Sequence, residues 1–173
     1  AAGSTVALET CDIALMSDDL GRVPFAVRLS RATSRIIRQN LIASLAIVAF
    51  LILATFLGLN IGAVAEALSL AQAAGVDPGK VREALGGGFA DSRILEVHGL
   101  RMIEGKFTPG ARCPIQRKDM DQAMELAEHL GIELPATALS RDLYDRVIEA
   151  GDGDLDHSGL IRAIRPDWPV NES

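Results

Sequence analysis

The stretch from Leu41 to Leu59, LIASLAIVAFLILATFLGL, decides the fold. No charged residue stands between Arg38 and Glu66, and within the stretch only Ser44 and Thr55 carry polar side chains. At about 1.5 Å of rise per residue, a helix of this length matches a hydrocarbon core of roughly 30 Å. A helix that is apolar all round must be buried in something, either lipid or protein. The stretch therefore reads as a transmembrane helix or as the fully buried central helix of a soluble dimer, and the pattern alone leaves both open.

Upstream of it, residues 24–40 read as a helix, because Pro24 is tolerated in a first turn. Arg22, Arg28, Arg31, Arg35 and Arg38 crowd this part and run directly into the apolar segment. Such a run is ordinarily a solvated face, but beside a membrane span it marks the cytoplasmic side. Earlier still, CDIALM at 11–16 is short, largely apolar and followed by Ser17-Asp18-Asp19, the pattern of a buried strand and a turn. Ala1 carries no signal-peptide features and is read as a cut end.

Downstream, the punctuation is that of ordinary soluble helices. Gly75 stops the long helix, and Asp77-Pro78 provides an N-cap followed by Pro at the first helical position. Gly86-Gly87-Gly88 breaks the next helix, and Ser92 caps another that runs to Met102. Asp119 is expected to cap a helix carrying Met120, Ala123, Met124, Ala127 and Leu130, which ends at Gly131. Pro135 opens an element with Leu139, Leu143 and Val147 on one face. A last helix, capped near Asp156, carries Leu160, Ile161 and Ile164, and residues 166–173 are expected to form a disordered tail.

Composition agrees with a mainly α chain. Of 173 residues, 49% are hydrophobic and only 4% aromatic, so the core is aliphatic and disorder is excluded. The net charge of -6 argues against nucleic acid as a partner. Cys11 and Cys113 belong to no metal-ligand or disulfide spacing and read as reduced thiols.

The chemistry-bearing residues are few. His98, His129 and His157 fall on different expected helices without ligand spacing, so no metal site is expected. Asp156-His157-Ser158 resembles a catalytic triad only in composition, since neighbours at a helix start cannot face one another, and capping is the expected role. The glycines at 86–88 match no phosphate loop and leave room for close backbone approach. Lys118, expected just ahead of a helix N-terminus, is the one candidate for holding an anion.

These strings carry two resemblances. NIGAVAEALSLAQAAGVDP, GGFADSRILEVHG, FTPGARCPIQRKDMDQAMELA and LDHSGL, between Asn60 and about Ile164, resemble the C-terminal helical domain of the 3-hydroxyisobutyrate dehydrogenase family, and within it the 2-hydroxy-3-oxopropionate (tartronate semialdehyde) reductases. The resemblance implies an all-helical, usually dimeric domain around one long helix, paired with a Rossmann domain and acting on a short aldehyde acid with NAD or NADP. The family's KxxN motif would place its catalytic Lys and Asn nine and six residues before Leu59, where this chain has Phe50 and Leu53. The Lys of the family's KDL motif, which lines the nicotinamide site, matches Lys118, and the family's GG loop matches Gly86 to Phe89. The segment from Gly3 to about Leu59 is similar instead to the end of the catalytic domain and the next membrane helix of metal-transporting P-type ATPases. Neither GDGxND nor DKTGT occurs, so no ATPase activity is implied.

The expectation is thus a helical, homodimeric dehydrogenase domain over residues 60–165, with an ATPase-like fragment at 1–40 and the apolar helix at 41–59 between them. Lys118 is its one cofactor-binding residue, and no GxGxxG stands within the 173 residues. With Phe50 and Leu53 in place of donors, the chain is expected to be inactive alone and cytoplasmic. One alternative is a membrane-anchored, single-span fragment held through Leu41 to Leu59. Another is a subunit that retains weak dinucleotide or carboxylate binding at Lys118.

Overall fold

The computed structural model describes residues 20–171. The strand read at 11–16 and Cys11 lie outside these residues. Among the described residues there is no strand, only an isolated bridge between Arg112 and Asp156.

After a 3-10 turn at Leu20–Arg22, helix α1 runs from Val23 to Ala73, 51 residues without a break at residue 40 or 59. Nothing in it interrupts a helix, because Pro24 sits in the first turn and the next stop signal is Gly75, with φ of 76°. The chain divides into two compact units, Ala1–Ala46 and Ile47–Ser173.

The first unit, over its described part, consists of the 3-10 turn and the beginning of α1. Its large apolar side chains, including Phe25, Ile36, Ile37, Leu41, Ile42 and Leu45, are exposed.

The second unit contains the core. Helix α1 contributes Leu51, Ala54, Gly58, Ile61, Ala65 and Leu68, the three-and-four spacing of one buried helix face. Around this face stand α2 (Pro78–Leu85), a π-helical turn at Leu95–Gly99 continued by α3 (Leu100–Glu104), α4 (Cys113–His129) and α5 (Pro135–Glu149). A 3-10 turn at His157–Leu160 leads into the short α6 (Ile161–Ile164). Met102, Phe107, Met120, Tyr144, Val147, Leu160, Ile161 and Trp168 fill the centre. Several punctuation marks act as expected: Asp77 accepts from the Gly79 amide, Ser92 Oγ from the Leu95 amide at 3.0 Å, and α2 ends at Leu85 before the glycines.

Three expectations are corrected. The helix assigned to an Asp119 cap begins at Cys113, because Pro114 presets its first turn, so Asp119 lies buried inside α4 and not at its start. On α5 the buried face is Thr137, Ser140, Tyr144 and Val147 together with Leu143, while Leu139 is exposed. The inward Ser140 Oγ lies 3.7 Å from where a Cβ on Gly62 of α1 would stand. The segment expected to be a disordered tail is instead tied down over its described part. Trp168 is 3% exposed and donates its indole N–H to the Met102 carbonyl at 2.7 Å, and the Asn171 amide bonds the Gly105 carbonyl at 2.8 Å.

Candidate functional site

The crossing of α4 over α1 fixes the surroundings of the residues singled out above. Gln116 Nε2 donates to the Ala54 carbonyl at 2.8 Å, and Met120 packs at Gly58. One turn before this seam, Phe50 and Leu53 lie side by side on α1, 52% and 54% exposed. They are apolar side chains on an open face, and neither can donate a proton or a hydrogen bond.

Lys118 stands between Gln116 and Met120 in sequence, and on a helix the residue two places on points away from both. Its side chain is 63% exposed, and Nζ lies 3.3 Å from Asp119 Oδ1, an ion-pair contact without hydrogen-bond alignment. Because α4 begins at Cys113, Lys118 lies in the helix interior, away from the free amides of the N-terminus. The GG loop is held open by Gly87, with φ of 73°, whose amide donates to Asp91 Oδ2 at 2.8 Å. At its tip Phe89 is fully exposed.

The structure assembles a cluster that spacing did not reveal. His98 and His157, 59 positions apart, meet edge to face with ring centroids 4.6 Å apart, beside the wholly buried Asp156. Asp156 Oδ2 accepts from Arg101 Nη1 at 2.6 Å and from the Gly110 amide at 2.9 Å. Its Oδ1 accepts from the Ser158 hydroxyl at 2.6 Å and the Ser158 amide at 3.1 Å, with His98 Nδ1 at 3.5 Å. The expected capping role of Asp156 is therefore present, and it is only part of a wider clasp joining α3, the Gly110 loop and the 3-10 turn. The π-helical turn carries His98 into this cluster. Only the LDHS string hints at it in the sequence, since its partners come from residues 98–110.

Burial alone would raise the Asp156 carboxyl, but the facing His98 imidazole, the Ser158 hydroxyl and the Gly110 and Ser158 amides outweigh it and hold the group well below the usual carboxylate range. Burial pushes His157 below its ordinary value, with His98 and Arg101 adding to the shift and Asp156 opposing it. Cys113, whose Sγ lies 3.4 Å from the Asp156 carbonyl, is pushed up to about 12 by burial and by that carboxylate, which makes it an inert thiol at neutral pH. His98, Asp156 and His157 present metal-ligating atoms within 4.8 Å of one another. Both carboxylate oxygens are already taken by donors, and Arg101 supplies the balancing charge, so the arrangement fits a structural clasp. His129 stands apart, exposed on α4, with Nδ1 2.7 Å from the Glu125 carbonyl.

The family described as the NAD-binding domain of NADP-dependent 3-hydroxyisobutyrate dehydrogenase matches residues 48–164. The chain is 49% identical over 106 residues to the 2-hydroxy-3-oxopropionate reductase of Escherichia coli (strain K12), an overlap covering 61% of this chain and 36% of the reductase. It superimposes on the crystal structure of the 3-hydroxyisobutyrate dehydrogenase of Salmonella typhimurium with a TM-score of 0.64 and 25% identity, over 66% of this chain and 40% of that one. A separate likeness, 56% over 46 residues, is to a probable cadmium-transporting ATPase of Listeria monocytogenes and covers 27% of this chain and 6% of the transporter. The chain spans about a third of the length of the dehydrogenase-type relatives it matches. By the match over residues 48–164, the chain belongs to the 3-hydroxyisobutyrate dehydrogenase family through that family's helical NAD-binding domain.

Proposed function

We propose that the chain is the C-terminal helical, dimerising domain of an NAD(P)-dependent 3-hydroxyacid dehydrogenase of the 2-hydroxy-3-oxopropionate reductase type, and that it carries out no hydride transfer alone. The observation that carries this reading is the pair Phe50 and Leu53, two exposed apolar side chains where the family resemblance calls for the proton donor and its neighbour. Loss of a general acid costs about 10²- to 10⁴-fold in rate.

Dimer formation is supported by apolar surface on the second unit. Val48, Leu51, Ile52 and Thr55 of α1, with Leu126 of α4 and Leu130 just past its end, line an open groove of about 310 Å³ beside the exposed Phe50 and Phe56. Covering such a face removes apolar area from water and is the ordinary driving force of association. On this reading the chain resides in the cytoplasm, where nicotinamide cofactors act. Lys118, 63% exposed on α4, is the residue that would line the nicotinamide site once a dinucleotide-binding domain is docked. Weak dinucleotide or carboxylate binding by the chain itself would rest on the same residue.

A second reading is favoured by one feature of α1. An 18-residue window has a mean hydropathy of 2.6 and is only 17% buried, so the helix is long and apolar enough to cross a membrane once. The experiment that separates the two is detergent-free fractionation followed by size exclusion with light scattering. A dimer that is soluble after a high-salt wash is expected, and recovery only in the membrane fraction despite that wash would replace the first reading with the second. Titration with NADPH then tests Lys118: Lys118→Ala should weaken whatever binding the dimer retains, and unchanged affinity would remove this residue from the cofactor site.

A further inference from the structure

In the first unit, Arg28, Arg31, Arg35 and Arg38 follow one another at steps of three, four and three, and steps of four and three continue the same line to Ile42 and Leu45. On an α-helix this spacing places all six on one face. All six are exposed. No Asp or Glu occurs between Asp19 and Glu66, and none of these four arginines has a hydrogen bond or ion pair among the described residues. Like charges three and four positions apart repel one another along a helix, so the stripe gains stability when an anion covers it.

The surface beside the stripe has the donors for that anion. Ser30 and Ser34 join Arg31, Arg35 and Arg38 around a shallow groove of about 300 Å³. Guanidinium groups bind phosphate oxygens in a two-pronged fashion, and a serine hydroxyl adds a single donor.

We propose that this face docks on a bilayer containing anionic phospholipid, with Arg31, Arg35, Arg38, Ser30 and Ser34 against the headgroup phosphates and Ile42 and Leu45 at the acyl boundary. The lipid, and not nucleic acid, is the occupant because the basic line ends in bare aliphatic side chains, which have no role along a phosphate backbone but suit an interfacial helix. The inference is independent of the dehydrogenase reading, since it uses only residues before Ile47.

Flotation of the full chain with phosphatidylcholine vesicles, with and without phosphatidylglycerol, tests it. Binding is expected to rise with phosphatidylglycerol and fall with added salt. Combined Arg31→Gln, Arg35→Gln and Arg38→Gln should weaken partition on the order of a hundredfold, with helical content by circular dichroism unchanged. Ile42→Asn with Leu45→Asn should weaken it while preserving the salt dependence. Equal flotation with both vesicle types, or wild-type flotation by the triple glutamine variant, would overturn the proposal. Release by millimolar inorganic phosphate would replace the lipid by a free-anion site. Undiminished flotation of the asparagine variant, with competition by duplex DNA, would assign the stripe to a general polyanion and overturn the lipid assignment.

Discussion

Gly58 of α1 and Met120 of α4 are in contact so close that a Cβ on Gly58 would overlap the Met120 methyl group and come within 2.8 Å of Gln116 Nε2. The glycine lets α4 reach the backbone of the long helix, and the Gln116 bond to the Ala54 carbonyl closes the seam one turn away. Gly58→Ala should therefore cost about 1–3 kcal/mol by overpacking, despite the better helix propensity of Ala. Denaturant unfolding of Gly58→Ala, Met120→Ala and the double variant should show the glycine substitution costing less once Met120 is shortened. Equal cost in both backgrounds would mean that the two residues do not share the space assigned to them.

Asp156 joins three segments through one buried carboxylate. Asp156→Asn retains the shape but leaves Arg101 without its anion and the Ser158 and Gly110 donors with a weaker acceptor. The expected loss is about 2–4 kcal/mol in urea unfolding, at the lower end of what breaking a buried ion pair costs because Arg101 is partly exposed. A loss below about 0.5 kcal/mol would show that the clasp is decorative.

The same cluster sets the response to acid. His157 has a depressed value in the folded chain, so the unfolded chain binds more protons below the ordinary 6.5. Asp156, also depressed, does the same below the ordinary 3.8. In both windows stability rises with pH. The contribution of His157 is complete above about 6.5 and is lost as pH falls below it; that of Asp156 is complete above its unfolded value and is lost as pH falls through 3.8 and beyond. Melting temperature measured from pH 8 downward should decline in two stages, and His157→Gln should flatten the first of them.

Trp168 is the only tryptophan, so its fluorescence reports directly on the final segment. With the indole buried and bonded to the Met102 carbonyl, emission should be blue-shifted and should move red on unfolding. Trp168→Ala should cost about 3–5 kcal/mol. Emission typical of an exposed indole in the native state would contradict the docking of this segment.

The helices and their ends were legible because the signals are local. Asp77-Pro78, Gly86-Gly87-Gly88, Pro135 and the uninterrupted apolar run of α1 act within a few residues of where they stand. Two errors on α4 and α5 came from giving the wrong signal priority. Asp119 looked like a cap because Asp often is one, whereas Pro114 held the true start. Leu139 reads as internal because it is apolar, whereas the inward face of α5 carries Thr137 and Ser140, the latter against Gly62. The Trp168 anchor and the His98–Asp156–His157 clasp were illegible for another reason. Each joins residues more than fifty positions apart, and no periodicity in one segment reports on the surface it will meet. For the candidate site, Lys118, Phe50 and Leu53 could be named from motif positions alone, but only the three-dimensional arrangement puts Phe50 and Leu53 on an open face and takes Lys118 away from a helix N-terminus.

The central claim, a dehydrogenase-family helical domain without hydride transfer of its own, is tested most directly by following NADPH oxidation with tartronate semialdehyde in the presence of the purified chain and of its Phe50→Lys, Leu53→Asn variant. On the proposed reading neither protein consumes NADPH above the protein-free rate, since Lys118 is the one residue matched to the family's cofactor site and Phe50 and Leu53 supply no donor in the native chain. Clear, saturable turnover by either protein would contradict the account.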